Sequence, residues 1–212
     1  MSTPFLGVRK IELRGKFIVF EGVDFTGKST QVKLLADQLR QTGYPVTTTR
    51  EPGGTMLGEQ VREIILSTKN TELLPLSELL LFVTCRAQLC TEVIVPALQE
   101  RRVVVSSRYR LSSLAYQGYG RGIDVDLIRR LNDAATGGLQ PDHTFFIDLP
   151  EEMALARKQG EGDRIEVENL TFYRRVREGY LELVQQDPRI VRIDGTLSVQ
   201  EIADRVRRHL DV

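Results

Sequence analysis

The sequence predicts an α/β protein: five parallel strands with helices on both faces of the sheet, in a single domain spanning residues 1–212. Three observations predict it. Five short runs rich in β-formers alternate with longer segments of helical periodicity, the order that builds parallel strands joined by helical crossovers. Residues 22–29, at the end of the first run, read G-V-D-F-T-G-K-S, the glycine, lysine and serine spacing of a phosphate-binding loop between a strand and a helix. Finally, 212 residues suffice for one sizeable core, and no Ser/Gly/Pro-rich linker, internal repeat or low-complexity tract divides them.

The first strand is expected at Lys16–Phe20, where Phe17-Ile18-Val19-Phe20 is uninterruptedly apolar. A helix over Lys28–Thr42 follows, with Val32, Leu35 and Leu39 at helical spacing. Strand two, Val46–Arg50, runs into T-R-E-P-G-G-T at 49–55. The longest helix, Ser77–Glu100, carries a kink expected at Pro96, because proline has no N–H for the helical ladder. Strand three, Val103–Ser107, leads into S-R-Y-R-L-S-S-L-A-Y-Q-G-Y-G-R-G at 107–122, read as a connection unusually dense in donors. Strand four, Thr144–Asp148, closes on a carboxylate. The polar, glycine-containing stretch R-K-Q-G-E-G-D-R, flanked by helices, reads as a small lid over about 157–165. Strand five is Ile190–Ile193, and the helix Val199–Leu210 repeats Ile202, Val206 and Leu210 as a capping element.

The loop 22–29 carries the most specific chemistry. Gly22 and Gly27 permit turns that a Cβ would obstruct, so successive N–H groups can converge on phosphate oxygens at a helix N-terminus. Lys28 supplies a compact cation for the outer phosphates, and the Ser29 hydroxyl is placed to ligate Mg²⁺. A nucleoside triphosphate would therefore be held by Gly22, Val23, Asp24, Phe25, Thr26, Gly27, Lys28, Ser29 and Thr30. In open parallel sheets ligands bind beyond the carboxyl ends of the strands, which brings the stretches after strands two and three to the same mouth. Arg50 precedes a Pro52-Gly53-Gly54 turn, and Phe82 and Arg86, four apart on a helix, offer a flat plate and a forked donor on one face. Three arginines, three serines, three tyrosines and a glutamine within 107–122 supply donors for an anion, a sugar or a base.

Composition removes several classes. An apolar fraction of 41% with 27% charged residues is that of a globular domain, which excludes disordered and fibrous chains. Lysine plus arginine balances aspartate plus glutamate at 29 each, so no overall field argues for nucleic acid or an anionic membrane as partner. No uninterrupted apolar stretch approaches the length of a membrane span, and Met1–Gly15 lacks the apolar core of a secretory signal, so the expected location is the cytoplasm. Cys85 and Cys90, about 140° apart on a helix, are expected as buried free thiols.

Taken together, F-E-G-V-D-F-T-G-K-S-T-Q at 20–31, T-R-E-P-G-G-T at 49–55, E-L-L-L-F at 78–82 with Arg86-Ala87-Gln88, S-S-L-A-Y-Q-G-Y-G-R-G at 112–122 and D-R-I-E at 163–166 closely resemble thymidylate kinases, over nearly the whole chain. The resemblance implies a P-loop fold, usually a homodimer, that transfers the γ-phosphoryl of Mg²⁺·ATP to dTMP. It implies Asp24 at the acceptor's 3′-hydroxyl, Phe82 stacked on thymine, Arg86 on a base edge, Tyr116 against the 2′ position, Gln117 near the base, Ser113 among the residues that bind dTMP, and Arg50 and Arg108 on the acceptor phosphate. With Phe25 and Thr26 uncharged in the loop, the transferring group would draw its cations from the lid, Arg157 first, then Lys158 and Arg164. One departure stands out: Ser107 occupies the place of an aspartate that lies near the metal. Asp163, Glu166 and Asp148 are the substitute carboxylates, and the alternatives are a nucleotide-binding homologue with impaired catalysis or a kinase for another nucleoside monophosphate.

Overall fold

A computed structural model describes residues 12–212; the reading of Met1–Gly15 as free of a leader falls largely outside them. The strands β1 (Phe17–Glu21), β2 (Val46–Arg50), β3 (Val103–Ser107), β4 (His143–Asp148) and β5 (Ile190–Asp194) form one parallel sheet in the order β2-β3-β1-β4-β5. In the centre, β1 pairs with β3 from Phe17 opposite Val104 to Phe20 opposite Ser107, and with β4 from Ile18 opposite His143 to Glu21 opposite Phe146. All five expected strands are present, and their ends move by a single residue at most.

The helices are α1 (Lys28–Gln41), α2 (Met56–Leu66), α3 (Pro75–Leu89), α4 (Val95–Gln99), α5 (Arg110–Ser113), α6 (Val125–Thr136), α7 (Glu151–Ala156), α8 (Leu170–Gln186) and α9 (Val199–Leu210). Alternation along the strands explains how both faces of the sheet are covered. Ile18, Phe20, Val103, Val105, Phe145 and Ile147 point to one side, where Val32, Leu35 and Leu39 of α1 and Ile202, Val206 and Leu210 of α9 meet them. Phe17, Val19 and Val104 point to the other and pack on Leu89, Cys90 and Ile94, while Phe146 packs with Phe172, Val176 and Tyr180. The α9 helix starts on a capping box, Ser198 accepting from the Glu201 amide while Glu201 accepts from the Ser198 amide.

Two segments differ from the sequence expectation. The helix that begins at Pro75 does not simply kink at Pro96: it loosens into a π-helical turn over Cys90–Ile94 before α4. Pro96 has no N–H to give to the carbonyl four residues back and its ring crowds it, so the ladder preceding it widens. The donor-rich stretch after β3 is not a loop. It folds as α5 and a second π-helical segment, Leu114–Gly120, of which Tyr119 alone is not buried. Cys85 and Cys90 are buried as expected, Cys85 with its thiol pushed up to about 11 by burial and by the nearby Glu51 carboxylate.

Candidate active site

Beyond the end of β1 the chain turns sharply into α1. Gly22 has φ 143°, and a Cβ there would lie 2.6 Å from the Ile147 carbonyl oxygen; Gly27, at φ 86°, is the N-cap of α1. Phe25 also takes a left-handed φ of 64°, a conformation costly for a residue with a bulky side chain. The result is a helix N-terminus whose free amides open onto a cleft of about 880 Å³, walled by Asp24, Phe25, Lys28, Ser29, Thr30, Arg50, Ser107, Arg108 and Arg157. Val23 and Thr26 turn inward. The Val23 carbonyl accepts from Thr26 Oγ1 at 3.0 Å and from Lys28 Nζ at 2.6 Å, so these two serve the loop's shape and Lys28's position. Burial first, then the positive charge of Arg108, push the Lys28 amine down to about 7.

A second cleft, of about 550 Å³, opens alongside and shares Asp24, Glu51, Arg62, Arg108 and Glu166 with the first. Arg108 stands between them at φ 71°. It donates to the Gly22 carbonyl at 3.0 Å, to Ser112 Oγ at 3.1 Å and to the Tyr116 hydroxyl at 3.0 Å, pairs with Asp24, and lies 4.8 Å above the Tyr116 ring. Asp24 also accepts from the Tyr116 hydroxyl at 2.7 Å and the Tyr173 hydroxyl at 3.2 Å. Burial pushes the Asp24 carboxyl upward, but Arg108 and then Lys28 outweigh it and hold it below the usual range. The two clefts thus meet at a fixed ion pair.

The second cleft is lined by Phe82 on one side and Ser112, Ser113, Tyr116 and Gln117 on the other. A flat apolar plate facing a row of hydroxyls and an amide is a pocket for a planar polar ring. A phosphate-holding helix N-terminus beside such a pocket, joined through one arginine, is a two-substrate arrangement. A model of the thymidylate kinase family matches residues 20–206. The chain belongs to that family. It is 49% identical over 193 residues to the thymidylate kinase of Kosmotoga olearia, covering 90% of this chain and 92% of that one, and 50% identical over 191 residues to the enzyme of a Synechococcus species, covering 90% and 91%. The crystal structure of Ehrlichia chaffeensis thymidylate kinase superposes with a TM-score of 0.78 at 36% identity, covering 94% of this chain and all of that one.

Within this thymidylate kinase scaffold several expected site residues stand elsewhere. Arg86, expected at a base edge, is 1% exposed and lines neither cleft. Its Nε and Nη2 grip Glu51 at 2.9 and 2.5 Å, its Nη1 reaches Ser113 Oγ at 2.9 Å and Asn132 Oδ1 at 2.6 Å, and Nη2 also reaches the Tyr109 carbonyl at 3.1 Å. All five N–H groups are engaged within the fold. Arg164, expected at the transferring group, lines neither cleft; it donates to the Ile65 carbonyl at 2.8 Å and pairs with buried Glu78 at 2.7 Å, anchoring the lid's root to α2 and α3. Arg157 does line the phosphate cleft and donates to the Gly195 carbonyl at 3.3 Å.

Of the expected metal ligands, Ser29 and Glu166 face the phosphate cleft but Asp163 does not. Its Oδ1 accepts from the amides of Ile165 and Glu166, both at 2.9 Å, while Glu166 accepts from the Asp163 amide at 3.1 Å, so Asp163 is spent on a reciprocal turn and borders only the second cleft. Asp148 is likewise structural, held by Arg177 at 2.8 Å and Arg192 at 2.6 Å. Arg50 reaches the phosphate cleft with its guanidinium on Glu59 at 2.9 Å. Arg62, which faces both clefts while donating to the Pro52 carbonyl at 2.9 Å, has no counterpart in the sequence reading. Its position on α2, seven residues after the Thr55 cap, is the signal that would have found it.

Proposed function

We propose that the two clefts are the donor and acceptor halves of a phosphoryl-transfer site, carried by one domain with residues 157–165 as its lid. The reaction itself follows from family membership: the chain phosphorylates dTMP with ATP as donor. In-line attack needs the acceptor phosphate oxygen and the γ-phosphorus aligned, and Arg108, which borders both clefts, is the observation that carries the reading. The amides of 22–30 and Lys28 hold the donor's outer phosphates, Arg157 approaches from the lid, and Phe82 offers its ring to thymine. Asp24, kept ionised by Arg108, faces the acceptor's sugar, and Tyr116 crowds its 2′ side. No general base is required, because a phosphate monoester is largely anionic near neutral pH.

Magnesium fits this cleft through Ser29 and Glu166: Ser29 is exposed at the start of α1, and the remaining ligands of such an ion are ordinarily phosphates and water. Bound there, it would draw charge from the bridging phosphate oxygens. Ser107, uncharged at the end of β3, contributes a hydroxyl at most. The binding-only reading is disfavoured by how completely the transfer cations are assembled. Assay of ADP release against dTMP, dUMP, dCMP, dGMP and their ribose counterparts is expected to give dTMP as the preferred acceptor, and absence of turnover with dTMP would refute the assignment.

The chain's partner is a second copy. Met56, Leu57 and Ile64 on α2 and Leu74, Leu76 and Leu80 on or beside α3 are exposed, Met56 by 85% and Leu74 by 67%. The Pro75–Gln99 helix is by length and composition apolar enough to cross a membrane. Its opposite face carries buried Glu78 and Arg86, both ion-paired, which suits a helix half packed in its own fold and half in a dimer. Light scattering is expected to give twice the chain mass, and Leu80→Arg to shift it to the monomer.

A further inference from the structure

The strand that leads into the phosphate-binding loop closes on a carboxylate that neither cleft uses. Glu21, the last residue of β1, is fully buried, borders neither cleft and forms no ion pair among the described residues. Its partners are four neutral donors. Oε1 accepts from the Tyr109 amide at 2.8 Å and the Ser112 amide at 3.3 Å; Oε2 accepts from Ser112 Oγ at 2.6 Å and the Tyr180 hydroxyl at 2.9 Å. A carboxylate kept out of water without an ion pair is costly unless its lone pairs are filled, and here they are.

Those donors bracket Arg108. Its left-handed φ of 71° is a conformation that residues with a Cβ avoid, so the surrounding structure has to hold it there. The Arg108 amide donates to the Phe20 carbonyl at 2.9 Å, its carbonyl accepts from Ser106 Oγ at 2.8 Å, and the next amide, that of Tyr109, is the one that Glu21 takes. The peptide unit after Arg108 is thus pinned at both its oxygen and its N–H. Glu21 reaches the far end of the same side chain through Ser112. An ionised carboxylate only accepts, so the Ser112 hydroxyl hydrogen is turned to Glu21 and its oxygen is left to accept from Arg108 Nη1 at 3.1 Å. We propose that Glu21 is a positioning residue for Arg108: one buried carboxylate sets both the backbone turn and the seat of the guanidinium, and so aims the arginine at the joint between the clefts. Glutamine in its place would keep the volume but offer one acceptor oxygen and set an NH₂ group against donors, which releases one side of this clamp.

The inference rests on Arg108 serving both clefts, and its test is a double-mutant cycle. Transfer from radiolabelled ATP to dTMP is compared in the natural chain, Glu21→Gln, Arg108→Ala and the double variant, each checked for folding by circular dichroism. Glu21→Gln is expected to lower kcat/KM on the order of 10²-fold in the natural background, the cost of misplacing a catalytic group by about 1 Å, and by no more than about threefold in the Arg108→Ala background. An equal factor in both backgrounds, or a loss below about threefold in the natural one, overturns the proposal, because a carboxylate that only fills the core would act independently of Arg108. If Glu21→Gln does not fold, Ser112→Ala takes its place, since it cuts the link to the guanidinium and leaves the Tyr109 contact. A loss of about tenfold confined to the natural background is then expected, and an equal loss in both backgrounds overturns the proposal. Arg108→Ala that transfers as fast as the natural chain refutes the reading of the joint itself, and the role of Glu21 with it.

Discussion

Lys28→Ala is expected to lower kcat by roughly 10²–10³ while leaving the fold intact, since removing a preorganised charge from a transferring group costs on that order. Among the described residues Lys28 bonds only within its own loop, to the Val23 carbonyl and more weakly to Thr26, so its loss removes little structure. Circular dichroism checks the fold and steady-state ADP release the rate; turnover within a few-fold of the natural chain would remove Lys28 from the mechanism. A pH signature accompanies it. In the free protein the amine is pushed down to about 7 by burial and Arg108, so above that pH it is mostly neutral. A bound triphosphate favours the ammonium and raises the value again. ATP binding at pH 8 is therefore expected to take up a proton and to weaken as pH rises further, by linkage. Calorimetry in two buffers of different ionisation heat measures the uptake, and the Lys28→Ala variant should lack it.

What the sequence disclosed and what it hid divide by range. The strands, the loop 22–29 and the helix after it depend on neighbours in the chain, and they stand where periodicity and the glycine spacing put them. Phe82 and Arg86 were legible as one helical face, and so was the donor density of 107–122. The partners were not. Glu51 is thirty-five residues from Arg86, and Glu78 takes Gln117, Arg121 and Arg164 from distant parts of the chain. An arginine that looks like a ligand donor and one consumed by a buried carboxylate have the same local sequence; only burial tells them apart. That is why Arg86 and Arg164, expected at substrate, are found in buried ion pairs, Arg86 outside the lining of both clefts and Arg164 at the lid's root. The same holds for Asp163, whose carboxylate is turned back on two amides of its own turn.

These pairings share a physical logic. Charged groups excluded from water must be matched, and this fold matches them at and beneath the floor of its clefts: Glu51, which borders both, with Arg86, and Glu78 with Arg121 and Arg164. Of the neutral residues lining the second cleft, Ser113 accepts from Arg86 and Gln117 donates to Glu78, whereas Tyr116 is held by Arg108 and Asp24 at the joint between the clefts. Flat hydrophobic contact comes from Phe82, and the phosphates are met by amides and by cations at the cleft edge.

Arg108→Ala should be the most damaging single change at the site, because one side chain serves both clefts and the ion pair between them. Its loss removes a cation from the acceptor and transferring phosphates, so kcat/KM for dTMP is expected to fall by at least roughly 10³, with kcat and KM both affected. Arg108→Lys keeps the charge but gives up the fork that reaches Gly22, Ser112, Tyr116 and Asp24 together, and should recover only part of the loss. The stability consequence has a definite sign. In the natural chain Asp24's carboxyl lies below its usual value because Arg108 and Lys28 overcome burial, so Asp24 adds stability above about pH 4 that fades as pH falls through its lowered value. Without Arg108, burial raises that value, and holding the charge at neutral pH costs about 3 kcal/mol. Urea denaturation is therefore expected to show Arg108→Ala well below the natural chain at pH 7, with the gap narrowing toward pH 4 as Asp24 takes up its proton. A gap that stayed constant across that range would mean that Asp24 does not depend on Arg108 for its charge, and the joint between the two clefts would need another origin.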